Sequence, residues 1–194
     1  EGSGETYYWD DVIFLDEYVA PVTLTREMLI GGWKLAPEYG AMGVGPQPGD
    51  TSFWVIDSGA VAERACLFDD IFSFSEDGTF ENLMGGETWI ESWQGVSQDG
   101  CGAPVTPHDG SVEATFSYDD VSKVITLYGV GAHIGIPKVV SDAPELGDPA
   151  DAPDSIVYQV FANTSDTMTL VVAYSGGYWT CLLYTSPSPR DTNE

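Results

Sequence analysis

The densest chemical pattern in the chain is Glu87-Thr88-Trp89-Ile90-Glu91, with Trp93 two positions further on. Two neighbouring carboxylates are the equipment of glycoside hydrolysis, which needs them about 5–5.5 Å apart for retention or 6.5–9.5 Å for inversion. On an extended strand Glu87 and Glu91 would lie about 13 Å apart, at roughly 3.3 Å per residue. Trp89 also occupies the position between them where a catalytic Asp would be wanted. No catalytic residue is assigned on this evidence.

The same residues make a better binding strip. Glu87, Trp89, Glu91 and Trp93 share parity, so on one strand all four point to one face. Flat indole rings stack on the C–H face of a sugar, and adjacent carboxylates accept its hydroxyl hydrogens. His108 and Asp109, from an adjoining loop, complete the candidate ligand-binding set. The competing reading of these tryptophans is core packing, against which the acidic neighbours argue mildly, because an unpaired buried carboxylate is costly.

Other patterns carry less. His108 and His133 lie in Gly/Pro-rich segments with no G-x-S-x-G or other nucleophile motif nearby. The run Gly129-Val130-Gly131-Ala132-His133-Ile134-Gly135 misses G-x-G-x-x-G by one position, and no G-K-[ST] follows a glycine cluster. Asp148, Asp151 and Asp154, like Asp69-Asp70, offer oxygen ligands to calcium but do not match an EF-hand loop. A solvated acidic loop is the preferred reading, and neither a metal nor a cofactor is assigned. Cys66 and Cys101 belong to no C-x-x-C pair and have no histidine at zinc spacing, so a disulfide between them is expected. That pairing implies an oxidising compartment: extracellular, cell-surface or periplasmic.

The elements that must position these residues are almost all strands. Runs rich in β-branched and aromatic residues recur at 33–36, 52–56, 71–74, 79–83, 88–93, 112–118, 124–128, 156–162, 168–174 and from Tyr178 onward. Turn formers at 76–78, 119–123 and 163–167 join neighbouring runs as hairpins. One short helix is expected over 26–29, with Thr25 as its cap and Gly31-Gly32 as its stop. The expectation is an all-β antiparallel meander closed into a barrel, with a two-sheet sandwich as the alternative. Three long Gly/Pro-rich connections, 37–50, 95–111 and 129–154, are where binding would live.

Composition bounds the partners. With 31 Asp+Glu against six Lys+Arg, the formal charge is -25, which repels phosphate backbones and anionic membranes and so excludes nucleic acid. The bland source of such a charge is a solvated surface of the kind found in marine or salt-exposed proteins. At 194 residues and 43% hydrophobic content the chain can bury one core. No apolar run approaches a membrane span, and a start at Glu1 without Met reads as a fragment of a longer polypeptide whose other modules would be its neighbours. The organisation expected is a linker or the end of a preceding module over 1–23, a barrel over 24–180, and a non-native tail over 181–194.

Three motifs carry a family resemblance. Ile30-Gly31-Gly32-Trp33-Lys34-Leu35, then Cys66-Leu67-Phe68-Asp69-Asp70-Ile71-Phe72-Ser73-Phe74, then Asp77-Gly78-Thr79-Phe80 resemble the lipocalin-like domains of Bacteroidetes surface proteins. There a G-x-W strand opens the barrel, and a C-x-x-D-D segment precedes an aromatic strand and a D-G-T-F hairpin. Gly40-Ala41-Met42-Gly43-Val44-Gly45-Pro46, with Glu87-Thr88-Trp89 and Trp93-Gln94-Gly95, is similar to a variant associated with marine polysaccharide-utilisation proteins, sometimes beside glycoside hydrolase modules. The resemblance implies a non-catalytic carbohydrate-binding or accessory module. A structural spacer domain, or a barrel enclosing a small apolar ligand, are the alternatives. The last residues, Cys181-Leu182-Leu183-Tyr184-Thr185-Ser186-Pro187-Ser188-Pro189-Arg190-Asp191, resemble a peptide translated from sequencing-adapter DNA. The segment from about Ser186 on is expected to pack against nothing.

Overall fold

The computed structural model describes residues 23–186. The expected linker, apart from residue 23, and the tail from 187 lie outside the described residues. Helix α1 (Arg26–Leu29) falls where the glycine stop placed it, although Thr25 makes no side-chain cap.

The strands are β1 (Gly31–Leu35), β2 (Met42–Gly45), β3 (Trp54–Val55), β4 (Ile71–Phe74), β5 (Thr79–Leu83), β6 (Thr88–Ile90), β7 (Gly100–Gly102), β8 (Ala114–Asp119), β9 (Val124–Tyr128), β10 (Ser155–Asn163), β11 (Thr167–Tyr174) and β12 (Gly177–Ser186). Eight of them, in the order β1-β4-β5-β8-β9-β10-β11-β12, form a closed antiparallel barrel of lipocalin-like architecture. The seam is β12 against β1, from Gly32 opposite Ser186 to Leu35 opposite Leu183. A hydrogen-bonded seam removes the two edges a sandwich would leave, so the barrel and not the sandwich is the fold. All three expected hairpins are present, joining β4 to β5, β8 to β9 and β10 to β11.

Strand β12 has two partners. Its second half closes on β1, while Tyr178 to Cys181 pair with β2, which carries the short β3 on its other side. The barrel boundary drawn at residue 180 is therefore corrected to at least 186. Cys181 and Leu183 point inward and are buried, and that alternation is enough to complete the seam whatever the origin of residues 181–191.

Two further corrections concern connections. Residues 58–68 hold two short helices that strand patterning does not reveal, α2 (Ser58–Glu63) and α3 (Ala65–Phe68). Asp57 starts α2 by accepting the Ala60 N–H at 2.8 Å, an N-cap legible in the sequence but passed over there. The expected strand 88–93 stops at Ile90, because Glu91 caps a 3-10 turn over Ser92–Gln94 and Gly95 ends it in the left-handed region.

The barrel interior is not an empty cup. Aromatic and branched side chains pack into it, including Trp33, Phe72, Phe74, Phe80 and Ile125. The connection after β9 fills much of the rest, since every residue from Gly131 to Val140 except Lys138 is buried. A loop inside a barrel has backbone groups that water cannot reach, and they must find protein partners. Asn82 of β5 supplies two bonds, donating to the His133 carbonyl at 2.7 Å and accepting the His133 N–H at 3.3 Å. Tyr158 of β10 accepts the Ile134 N–H at 2.8 Å. Gly131, at φ +89, passes so close to the Pro107 carbonyl that any side chain would collide with it. The glycine run that resembled a nucleotide loop is thus a threading device.

The expected disulfide joins Cys66 of α3 to Cys101 of β7, with Cα atoms 5.9 Å apart. It ties the connection before β4 to the hairpin β6–β7, which otherwise pairs only within itself. In the chain-entropy view, closing a loop of this length stabilises by about 3–4 kcal/mol. Cys66→Ser with Cys101→Ser is expected to lower urea-unfolding stability by about that amount, and dithiothreitol to do the same to the wild type only. Asn82→Ala leaves two buried backbone groups unpaired and is expected to cost roughly 2–5 kcal/mol in the same assay.

Candidate functional site

One mouth of the barrel holds a cavity of about 290 Å³. Its aromatic wall follows from strand register. Val44 of β2 lies opposite Trp54 of β3 on one side and Trp179 of β12 on the other, so the indoles flank it with centroids 5.6 Å apart at 52°. Tyr174, at the end of β11, and Phe53, which is 61% exposed, extend this surface outward. The buried loop supplies the floor through Ile136, Lys138 and Glu145, and Arg64 and Glu91 form the remaining wall.

The charged groups are arranged by hydrogen bonds. The Lys138 ammonium lies 3.3 Å from Glu91 and 3.6 Å from Glu145. Behind each carboxylate stands an indole: Trp179 donates to Glu145 at 2.8 Å, and Trp93 donates to Glu91 at 3.0 Å. Glu91 is buried, and its backbone N–H is satisfied by the Gln94 side chain at 2.9 Å. Arg64, at the junction of α2 and α3, places its guanidinium carbon 4.6 Å from the Trp89 ring centroid and 5.9 Å from that of Trp54.

The expected binding strip is divided by this arrangement. The shared face of Glu87, Trp89, Glu91 and Trp93 required one continuous strand, and the chain turns at Glu91 instead. Trp89 is 5% exposed and belongs to the core, with its indole N–H unpartnered. Its ring face carries the Arg64 guanidinium. Glu87 is exposed on a different depression, beside Cys66 and Asp69. Of the named residues, Glu91, Trp93 and His108 are brought together: the Trp93 ring meets His108 edge-on at 5.5 Å, and His108 in turn meets His133 at 5.8 Å. Asp109, the next residue, accepts hydrogen bonds from Thr106 and Ser111.

Sequence reasoning passed over Trp54, Trp179, Arg64, Lys138 and Glu145. They come from four separate segments, and only barrel closure and the inserted loop unite them. Among the described residues no group of three or more His, Cys, Asp or Glu is placed to hold a metal ion. No described helix is long and apolar enough to cross a membrane.

Of the buried groups with displaced titrations, three bear on stability between about pH 4 and 7. Burial pushes the His108 and His133 imidazoles down to about 4, and it pushes the Asp70 carboxyl up to about 7 against the opposing hydrogen bond from Thr88 at 2.6 Å. No protein-family model matches the chain, and no curated protein matches it either.

These displacements set a pH dependence. Between about pH 6.5 and 4 the unfolded chain protonates both histidines while the native state does not, so their contribution is complete above 6.5 and is lost on acidification. Asp70 acts oppositely: the native state keeps its proton up to about pH 7 while the unfolded chain ionises near 3.8, so stability is lost as pH rises through that window. Unfolding between pH 4 and 6.5 thus takes up two protons and releases one, and the wild type is expected to weaken on acidification. Asp70→Asn, which can still accept from Thr88, is expected to be more stable than wild type at pH 8 and to lose that advantage by pH 4. Urea unfolding at pH 4, 6 and 8 measures it; an advantage independent of pH contradicts the burial of an ionisable Asp70.

Proposed function

We propose that this barrel is a non-catalytic carbohydrate-binding or accessory module of a secreted or cell-surface protein, acting on polysaccharide beside other modules of the same polypeptide. The ligand enters the mouth cavity, not the strip around Trp89. The observation that carries this reading is the wall of Phe53, Trp54, Tyr174 and Trp179 set against polar and charged groups within one cavity. Aromatic faces for C–H stacking beside fixed acceptors and donors are what a sugar ring requires. A volume of about 290 Å³ sits at the lower end of the roughly 300–1,000 Å³ usual for small-molecule sites, which suits one ring of a glycan and not a long enclosed segment. The resemblance to lipocalin-like Bacteroidetes domains linked to polysaccharide use, and the disulfide with its oxidising compartment, support the same reading.

The two carboxylates argue against hydrolysis. Glu91 and Glu145 are both bound to the Lys138 ammonium, which occupies the space between them where a scissile bond would lie. The apolar-ligand alternative is weakened by the inserted loop, which takes up the interior such a ligand would need.

Calorimetry against a panel of neutral and acidic oligosaccharides tests the proposal. Phe53→Ala is expected to weaken binding at least tenfold with little loss of stability, because its ring is largely in solvent, whereas Trp54→Ala is expected to weaken binding as much and to lose some stability with its packing on Trp179. Trp89→Ala is expected to cost about 3–5 kcal/mol of stability instead. A wild type that binds nothing in the panel leaves the spacer as the function.

A further inference from the structure

We infer that the saccharide held at this mouth carries an oxyanion, a carboxylate or a sulfate ester on its ring, and that Arg64 receives it. The inference rests on the carbohydrate reading and names the class of sugar.

The chain has six Lys+Arg against 31 Asp+Glu, yet two of the six line this one cavity. Lys138 faces two carboxylates, one more negative charge than it carries, and so has none to spare for an anion. Arg64 differs: among the described residues its guanidinium makes no ion pair and no hydrogen bond, and its Nε is shut off from solvent with no partner. With so many acids on the surface, an unpaired arginine is not the default outcome. The guanidinium lies instead over the Trp89 ring and near Trp54, contacts that satisfy its face and leave its donors without acceptors. A planar guanidinium directs all of its N–H bonds outward in its own plane, and the acceptor that fits two of them at once is a carboxylate or sulfate.

Arg64 is also held in place before any ligand arrives. Its backbone N–H closes α2 on the Ala60 carbonyl at 3.0 Å, and Cys66, two residues on, is bridged to Cys101. The position costs little to order on binding. Selectivity follows from the contrast between this one cation and the rest of the molecule. A charge of -25 repels polyanions at long range, so an anionic sugar is recognised only where it meets Arg64 directly, at an ionic strength that screens the remaining field beyond about 8 Å.

The experiment uses matched pairs at about 0.15 M salt, where the screening length is about 8 Å: tetragalacturonate and its methyl ester, and a sulfated galactan oligosaccharide and its desulfated form. Calorimetry is run on the wild type, Arg64→Gln and Arg64→Lys, with cooperative unfolding checked for each. The wild type is expected to prefer the charged member of at least one pair by tenfold or more, and the pair that shows it distinguishes carboxylate from sulfate. Arg64→Gln is expected to bring that ratio to within twofold of one, because it lowers affinity for the charged member far more than for the uncharged one, whose hydroxyls the glutamine amide can still meet. Arg64→Lys, which keeps the charge without the two-point geometry, is expected to lose at least threefold of the preference, and it decides the matter if the glutamine variant does not fold. Equal binding of both members by the wild type, or a preference that survives in either variant, overturns the inference and leaves carbohydrate binding intact. Absence of binding to every glycan, neutral or charged, overturns the carbohydrate reading and this inference with it.

Discussion

A barrel that admits a loop to its interior must satisfy that loop's backbone, and the rest of this structure depends on how it does so. Asn82 meets both polar groups of His133, and Tyr158 meets the N–H of Ile134. Each anchor stands on an inward-facing strand position otherwise suited to an apolar side chain. Without them the connection after β9 would have to leave the barrel, because desolvated amides are too costly to leave unpaired. With them it becomes part of the core, and the barrel becomes a filled body with a shallow mouth.

The mouth inherits its chemistry from that filling. Lys138 and Glu145 reach the cavity because the loop carrying them is fixed below. Lys138 then binds the two carboxylates into a triad, and the Trp179 and Trp93 indoles hold those carboxylates from behind. The opposite wall is fixed differently. Helix α2, the disulfide and Trp89 set the position of Arg64, and Trp54 and Trp179 are set by register across β2. Two independent scaffolds, one polar and one covalent, converge on one opening.

The buried histidines belong to the same economy. His133 is neutral because it lies in the interior, its Nδ1 within 2.8 Å of the Gly131 carbonyl, and His108 is neutral because Trp93 and His133 enclose it. Both couple the loop and the β6–β7 insertion to acid, in opposition to Asp70, whose buried carboxyl is protonated over much of the same range.

What the sequence determined by itself is the local geometry. Alternating aromatic and branched residues specified β4, β5 and β9 to the residue, and turn formers specified the three hairpins, because period and turn chemistry act over a few residues. The Cys66–Cys101 bridge was also legible, since both cysteines lie in the patterned body of the chain without C-x-x-C or zinc spacing. The site was not. Glu91 and Trp93 do lie together, but through a 3-10 turn and a hydrogen bond and not through the strand face that parity proposed, and the same turn separates them from Trp89. Arg64, Lys138 and the Trp54–Trp179 pair give no sequence signal at all. Their proximity is created by the seam between β12 and β1, the register across β2 and the loop's entry into the barrel, and each of these joins residues too far apart in the chain for any local pattern to connect.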